Sequence, residues 1–139
     1  MDQNLFFFLA AIFIVGGLLF ALMALSKKSP KPLDTSKYQE TWMKIEGQIK
    51  KDESSSFPLA IINADKLVDK ALQERAYSGK TMGERLKSAK TKLSDNDGLW
   101  SAHKLRNRIA HEQDVVVDYN ATRRALASFK KALRDLGAV

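Results

Sequence analysis

The amino-acid sequence predicts an all-α protein in which one N-terminal transmembrane helix precedes an antiparallel helical bundle. Residues 5–25 form an uninterrupted apolar run, and the apolar residues after it recur at helical spacing. No segment alternates polar and apolar residues as a half-buried strand does. We therefore divide the chain into an anchor over residues 1–26, a basic, proline-containing linker over 27–36, and a helical bundle over 37–139.

The apolar run reads LFFFLAAIFIVGGLLFALMAL. As a helix it would extend roughly 32 Å, which is enough to cross a hydrocarbon core of about 30 Å. A buried core helix rarely runs this long without a polar residue, and a signal peptide usually begins with a basic segment. Here the preceding residues are MDQN, which include Asp2 and no basic residue. The sequence therefore predicts an anchor that is not cleaved.

Basic residues flank only one end of this span. Lys27, Lys28 and Lys31 follow it, whereas no Lys or Arg precedes it. The positive-inside rule then predicts a single-pass protein of the inner or plasma membrane, with its N-terminus outside and its bundle in the cytoplasm. The chain contains no cysteine, which agrees with a reducing compartment.

Five amphipathic helices are predicted in the bundle, over about 37–51, 57–72, 81–93, 99–110 and 118–136. The second has the widest apolar face, so we expect it to be the most buried. Gly137 is the expected stop signal of the last helix.

Side chains that could cap these helices stand at the expected positions. Ser36 with Gln39, and Thr81 with Glu84, have the spacing of a capping box. Asp118 precedes the last helix and is its expected N-cap.

Charge and composition limit the function classes. All 23 basic residues, but only 15 of the 16 acidic ones, follow the span, because Asp2 precedes it. This balance suits anionic lipid headgroups or nucleic acid, although solubility alone also explains it. There is no glycine-rich phosphate loop and no zinc or haem spacing, so we predict no cofactor and no metal site.

The segment HKLRNRIAHEQD, residues 103–114, is the strongest candidate for a site. His103, Asn107 and His111 step by four along one side of the predicted helix, which can face a cleft or a partner. The opposite, core-facing side is formed by Ala102, Leu105 and Ile109.

Residues 106–111 read Arg-Asn, three residues, then His. This resembles the signature motif of the HEPN superfamily of helical-bundle domains. Many of these are metal-independent endoribonucleases, including toxins of toxin–antitoxin and abortive-infection systems. A helix containing ADKLVDKAL precedes the motif and another helix follows it, so the resemblance covers roughly residues 57–136. The chain is also similar to short membrane-anchored bacterial proteins that carry ERLKSAK…HKLRNRIAHE, which implies no activity.

The resemblance implies a catalytic role for three residues. Arg106 would bind the scissile phosphate, because its planar fork suits phosphate oxygens. Asn107 would orient the site by hydrogen bonding. His111 would move protons, since imidazole exchanges them near neutral pH. The family reaction uses the 2′-hydroxyl of the RNA as nucleophile and needs no metal.

Three further residues are expected to contact RNA, and the same resemblance implies three partners. His103, Lys104 and Arg108 lie outside the motif and are expected to be auxiliary phosphate contacts. HEPN domains typically pair with their motifs at the interface, so we expect a homodimer, with Trp100 as a candidate interface anchor. RNA, and an antitoxin-type protein, are the implied macromolecular partners.

Structural alternatives stand beside these roles. Arg106 could pair with Glu112 or Asp114 on the surface. His111 could stabilise the C-terminal end of its helix, and Asn107 could be an ordinary polar position. On those interpretations the protein is a non-catalytic, membrane-anchored module that dimerises or recruits a partner.

The anchor interpretation predicts the behaviour of the full chain in cell fractions. It should sediment with membranes and resist high salt and alkali, because the apolar span rather than the basic charge attaches it. Immunoblots of washed membranes test this. Release by salt alone, or a mature N-terminus near Ser26, would contradict the prediction.

Overall fold

The computed structural model describes residues 2–26 and 29–139, and these contain six α-helices and no strand. They are α1 (Gln3–Leu25), α2 (Thr35–Gly47), α3 (Ser56–Glu74), α4 (Met82–Ser88), α5 (Asn96–His111) and α6 (Tyr119–Asp135). The predicted fold class, a helical bundle after one N-terminal apolar helix, is confirmed. Lys27 and Lys28, on which the predicted orientation depends, lie outside the described residues.

Helix α1 stands apart from the bundle. Within residues 2–26 and 29–139 it packs against none of the other five helices, and none of its residues is buried. Its 23 residues extend roughly 34 Å, so α1 is long and apolar enough to cross a membrane.

Helix α3 is the central helix of the bundle. It packs against α2, α4, α5 and α6. Ile61, Val68 and Leu72 are fully buried on it, as its wide apolar face predicts. The exception among its buried residues is the acid Asp65, which is only 2% exposed.

The directions of the helices define two ends of the bundle. Phe57, at the start of α3, lies against Tyr119, at the start of α6, with ring centroids 6.0 Å apart. Arg75 and Arg134, where these helices end, line one cavity. Helices α3 and α6 therefore run the same way, and α2 and α5 run opposite to them. We call the end where α3 and α6 begin the distal end, and the end where they finish the proximal end.

Most of the predicted caps are present. Thr81 and Glu84 form a complete capping box, and Asp118 caps α6. The predicted cap at Ser36 is wrong. Asp34 instead accepts a hydrogen bond from the third backbone N–H of α2, so this helix begins at Thr35, inside the predicted linker.

Helix α5 also begins earlier than predicted, within the segment SDNDG. The Asp95 carboxylate accepts the Gly98 N–H at 3.0 Å and caps the helix. A Cβ on Gly98 would collide with the side chains of Asp95 and Ser128, so a larger residue here would have to displace the carboxylate that caps the helix. The turn-forming residues therefore lie inside the first turn of α5.

The end of the predicted linker is packed against the bundle. The Lys31 N–H donates to the Glu74 carbonyl at 3.0 Å, and Leu33 packs against the core. The Glu74 carboxylate accepts the Tyr38 hydroxyl at 3.0 Å. Burial, and then this hydrogen bond, raise the pKa of Tyr38. Residues 31–38 thus fasten the chain to the proximal end of α3.

Candidate functional site

Helix α5 turns two different sides to its surroundings. Ala102 is buried, and Leu105 and Ile109 pack against the core from partly buried positions, as predicted. Its polar side, with His103 and Asn107, faces a cleft bordered by α3 and α4. The packing of the apolar side therefore decides which polar residues meet α3.

The buried acid on α3 meets two basic residues of α5. Asp65 Oδ1 is 2.8 Å from His103 Nδ1, and Asp65 Oδ2 is 3.3 Å from Arg106 Nε. His103 is as deeply buried as a core residue, at 7% exposed. An ionised carboxylate only accepts hydrogen bonds, so Nδ1 of His103 must carry the hydrogen. Both oxygens of Asp65 therefore face a basic partner, as a buried charge requires.

Asn107 closes these contacts into a ring of four side chains. Its Oδ1 accepts a hydrogen bond from Arg106 Nη1 at 2.8 Å, and its Nδ2 lies 3.3 Å from His103 Nε2. We call Asp65, His103, Asn107 and Arg106 the polar ring. Arg106 Nε makes no well-aligned hydrogen bond, so its attraction to Asp65 is Coulombic. Each side chain of the ring touches two others, which restricts the rotamers of all four.

The polar ring forms one wall of a cleft of about 470 Å³. The indole of Trp100 stands edge-on to the His103 ring, with centroids 6.0 Å apart. A Cβ on Gly83 would lie 3.3 Å from the same indole, so α4 approaches Trp100 closely. Trp100 is therefore partly buried in the cleft wall of its own chain.

The second acid in the cleft is also neutralised. Asp69 accepts hydrogen bonds from Arg85 Nε at 2.7 Å and from Arg85 Nη2 at 2.9 Å. Lys66 is exposed, and the described part of the chain offers it no acidic partner. The cations that the cleft presents to a ligand are therefore Lys66 and the outer edge of Arg106.

The three residues of the predicted motif do not converge in one chain. Arg106 and Asn107 are in the polar ring, but His111 is the exposed last residue of α5 and does not line the cleft. A step of five residues turns the helix by about 140° and advances it by about 7.5 Å. Since α5 stays helical up to His111, the two side chains point in different directions.

The expected auxiliary residues divide into two groups. His103 is buried and bridges Asp65 and Asn107. Lys104 and Arg108 are exposed on the surface of α5.

The surface pairing considered for Arg106 does not occur. Its acidic partner is Asp65 on α3, while Glu112 lies 3.3 Å from Arg108 in an exposed i,i+4 pair. Arg106 therefore pairs with α3 inside the bundle and not with the segment that follows α5.

Asp65 is the site residue that sequence reasoning missed. It lies in the apolar stripe of α3, four residues after Ile61 and three before Val68. A charged residue within such a stripe needs a buried partner, and that is the signal by which it could have been found.

Comparison of the chain with known proteins gives no further information about this site. No family model, no curated protein and no solved structure matches the chain significantly. Within residues 2–26 and 29–139, no group of three or more His, Asp or Glu side chains is placed to hold a metal ion. The fold and the site define a helical bundle with an ion-paired polar ring. In the chain, the bundle follows an apolar helix that could span a membrane.

The polar ring predicts a large effect of Asp65→Asn on stability. The substitution keeps the shape but leaves the Arg106 guanidinium without its counter-charge and removes the charged acceptor that faces His103 Nδ1. Breaking a buried pair typically costs about 3–5 kcal/mol, and we expect the lower end because Arg106 is 27% exposed. Urea unfolding of residues 29–139 measures the change.

Glu112→Gln is the matched control for this substitution. It also removes one carboxylate that faces an Arg, but from a pair that is more than half exposed. Its effect should stay below about 1 kcal/mol. Equal unfolding midpoints for the two variants would show that the ring contributes no particular stability.

Proposed function

We propose that this protein is a membrane-anchored, HEPN-like module that engages RNA through the Arg106 side of α5 and cleaves it where two copies meet. One observation carries the proposal. Arg106 is held by Asp65 and Asn107 at the edge of a cleft, while its side chain stays 27% exposed. A guanidinium fixed in this way is ready to bind a phosphate without first being ordered.

The surroundings of Arg106 suit the backbone of a nucleic acid. Lys66 on α3, and Lys104 and Arg108 on α5, are exposed. Such cations give sequence-independent attraction to phosphates, while a fixed guanidinium sets the register. The proposed RNA surface is therefore the cleft together with the exposed side of α5.

Cleavage would need both Arg106 and His111. The 2′-hydroxyl oxygen attacks the adjacent phosphorus and loses its proton to an imidazole, while the bond from phosphorus to the 5′ oxygen breaks. The leaving 5′ oxygen takes up a proton, and a 2′,3′-cyclic phosphate remains. Arg106 would stabilise the charge on the phosphoryl oxygens, and His111 would carry a proton.

A second copy supplies the geometry that one chain lacks. A two-fold pair can place Arg106 of one copy beside His111 of the other, in two equivalent sites. Helix α1 supports such pairing as a single membrane span, because an anchor confines both copies to one plane. In this proposal the lysines after the span keep the bundle in the cytoplasm, at the inner or plasma membrane.

A second candidate function rests on a different observation. The polar ring uses Arg106 and His103 for contacts inside the bundle, and His111 stands apart. This is what a non-catalytic module would show, with the ring fixing α5 and an exposed face serving dimerisation or a partner protein. The two candidates differ in whether His111 has a chemical role.

A cleavage assay of the full chain in detergent, with EDTA present, separates them. Catalysis predicts products with cyclic-phosphate or 3′-phosphate ends. His111→Ala should lower the rate at least roughly a hundredfold, the usual effect of losing a general acid or base. Lys104→Ala should mainly weaken RNA binding, and the exposed neighbour Gln113→Ala is the control.

Equal rates for wild type and His111→Ala would exclude the catalytic proposal. An inactive wild type that still binds RNA, and loses this binding in Arg106→Gln, would support a binding module. If neither the wild type nor Arg106→Gln binds RNA, the result supports the module that recruits a partner protein.

The shared site makes a separate prediction for mixed dimers. Arg106→Ala and His111→Ala should each be inactive alone, because each removes one half of every site. Mixing them should restore about a quarter of the wild-type rate, since half of the dimers are mixed and each has one intact site. Activity in a species that sedimentation shows to be monomeric, or no recovery on mixing, would contradict it.

A further inference from the structure

The proximal end of the bundle is fastened close to the end of α1. Ser26 follows α1 directly, and the Lys31 N–H is bonded to the Glu74 carbonyl at 3.0 Å. Five fully extended residues span at most about 18 Å. The proximal end therefore cannot move far from the point where the chain leaves α1, whatever the path between them.

Basic side chains collect at this end. Two shallow cavities of about 410 and 480 Å³ lie where the linker meets the ends of α3 and α6. Their ionisable lining residues are four cations and two acids: Lys31, Arg75, Lys92, Arg134, Glu74 and Asp135.

The two acids already have hydrogen-bond donors within the bundle. Glu74 accepts the Tyr38 hydroxyl. Asp135 Oδ2 accepts both the backbone N–H and the hydroxyl of Ser94, each at 2.8 Å. Their charges are therefore partly satisfied by neutral donors.

The cations have no such partners. Arg75, Lys92 and Arg134 make no ion pair with any acid of the described part of the chain. Arg75 and Arg134 stand at helix C-termini, where a cation also stabilises the helix. Lys92 lies in the turn after α4 and has no such role. The proximal end thus offers positive charge that no acid of the described residues pairs with.

We propose that the proximal end docks on the anionic phospholipid headgroups of the membrane that α1 spans, through Arg75, Lys92 and Arg134 with Lys31 beside them. This surface is separate from the Arg106 side of α5, and the inference does not depend on any RNA activity. Docking would hold the bundle upright, with the distal end and His111 facing away from the membrane.

The tether favours headgroups over other polyanions as the occupant. A surface within about 18 Å of the end of a span meets lipid phosphates at high effective concentration. Electrostatic attraction persists over about 8 Å at physiological ionic strength. Each basic residue near an anionic bilayer strengthens attachment by about fivefold. Three such residues together change the docking equilibrium on the order of a hundredfold.

Energy transfer from tryptophan to dansyl-labelled lipid headgroups tests this in the full chain. Both tryptophans, Trp42 and Trp100, are in the bundle, so transfer reports its approach to the bilayer. The protein is placed in nanodiscs of phosphatidylcholine alone or with phosphatidylglycerol. We expect more transfer in the anionic discs, and loss of the difference at high salt.

A triple variant and a matched control locate the contact. Arg75→Gln with Lys92→Gln and Arg134→Gln should remove the difference between the two discs. The control removes the same charge at other exposed positions, as Lys50→Gln, Lys51→Gln and Arg123→Gln. It should leave the difference unchanged.

Two results with the nanodiscs, and one with RNA, would overturn the proposal. One is equal energy transfer from the wild type in the two kinds of nanodisc. This result would exclude docking on anionic lipid even if the triple variant does not fold. The other is an equal response of the two triple variants, which would show that net charge alone is sensed. If the proximal variant instead lost RNA binding and kept the lipid response, this end would be a nucleic-acid surface, and the proposal would be wrong.

Discussion

The buried carboxylate of Asp65 is the constraint on which the arrangement around α5 depends. A charge at that depth is tolerated only with close partners, and α5 supplies two of them, His103 and Arg106. Rotating α5 by one residue about its axis would unpair Asp65 and turn Ala102 out of the core. Charge pairing and apolar packing therefore specify the same orientation of α5. This orientation determines which side chains of α5 line the cleft.

The same contact limits the chemistry of the cleft. Asp65 orients Arg106 but also offsets its charge, so the guanidinium attracts a phosphate less strongly than an unpaired one would. In the proposed RNA complex, further attraction would come from exposed neighbours such as Lys66 and Lys104. His111 does not line the cleft of its own chain, so it supplies neither charge nor a proton there. A single bundle thus holds an oriented guanidinium in the cleft while His111 points elsewhere, and for that reason the catalytic proposal requires two copies.

Two groups of basic residues lie in different surroundings. One surrounds the polar ring and the exposed side of α5. The other lies at the proximal end, where residues 31–38 fasten the linker to α3. If the proximal end faces lipid, the surface of α5 remains open to the solvent at the side of the bundle. An anchored protein could then bind the membrane and a second ligand at the same time.

The sequence alone determined the features that depend on local patterns. Apolar period and capping residues located all six helices, the strong burial of α3, and the caps at Thr81 and Asp118. Tertiary structure decided the contacts between residues distant in the chain. Asp65 and His103 are 38 residues apart, and no local pattern indicates that they meet. The docking of Lys31 on Glu74 depends on a distant neighbour in the same way. Helical period and capping depend on residues within about four positions, whereas the pairing of a buried charge depends on which helices pack together.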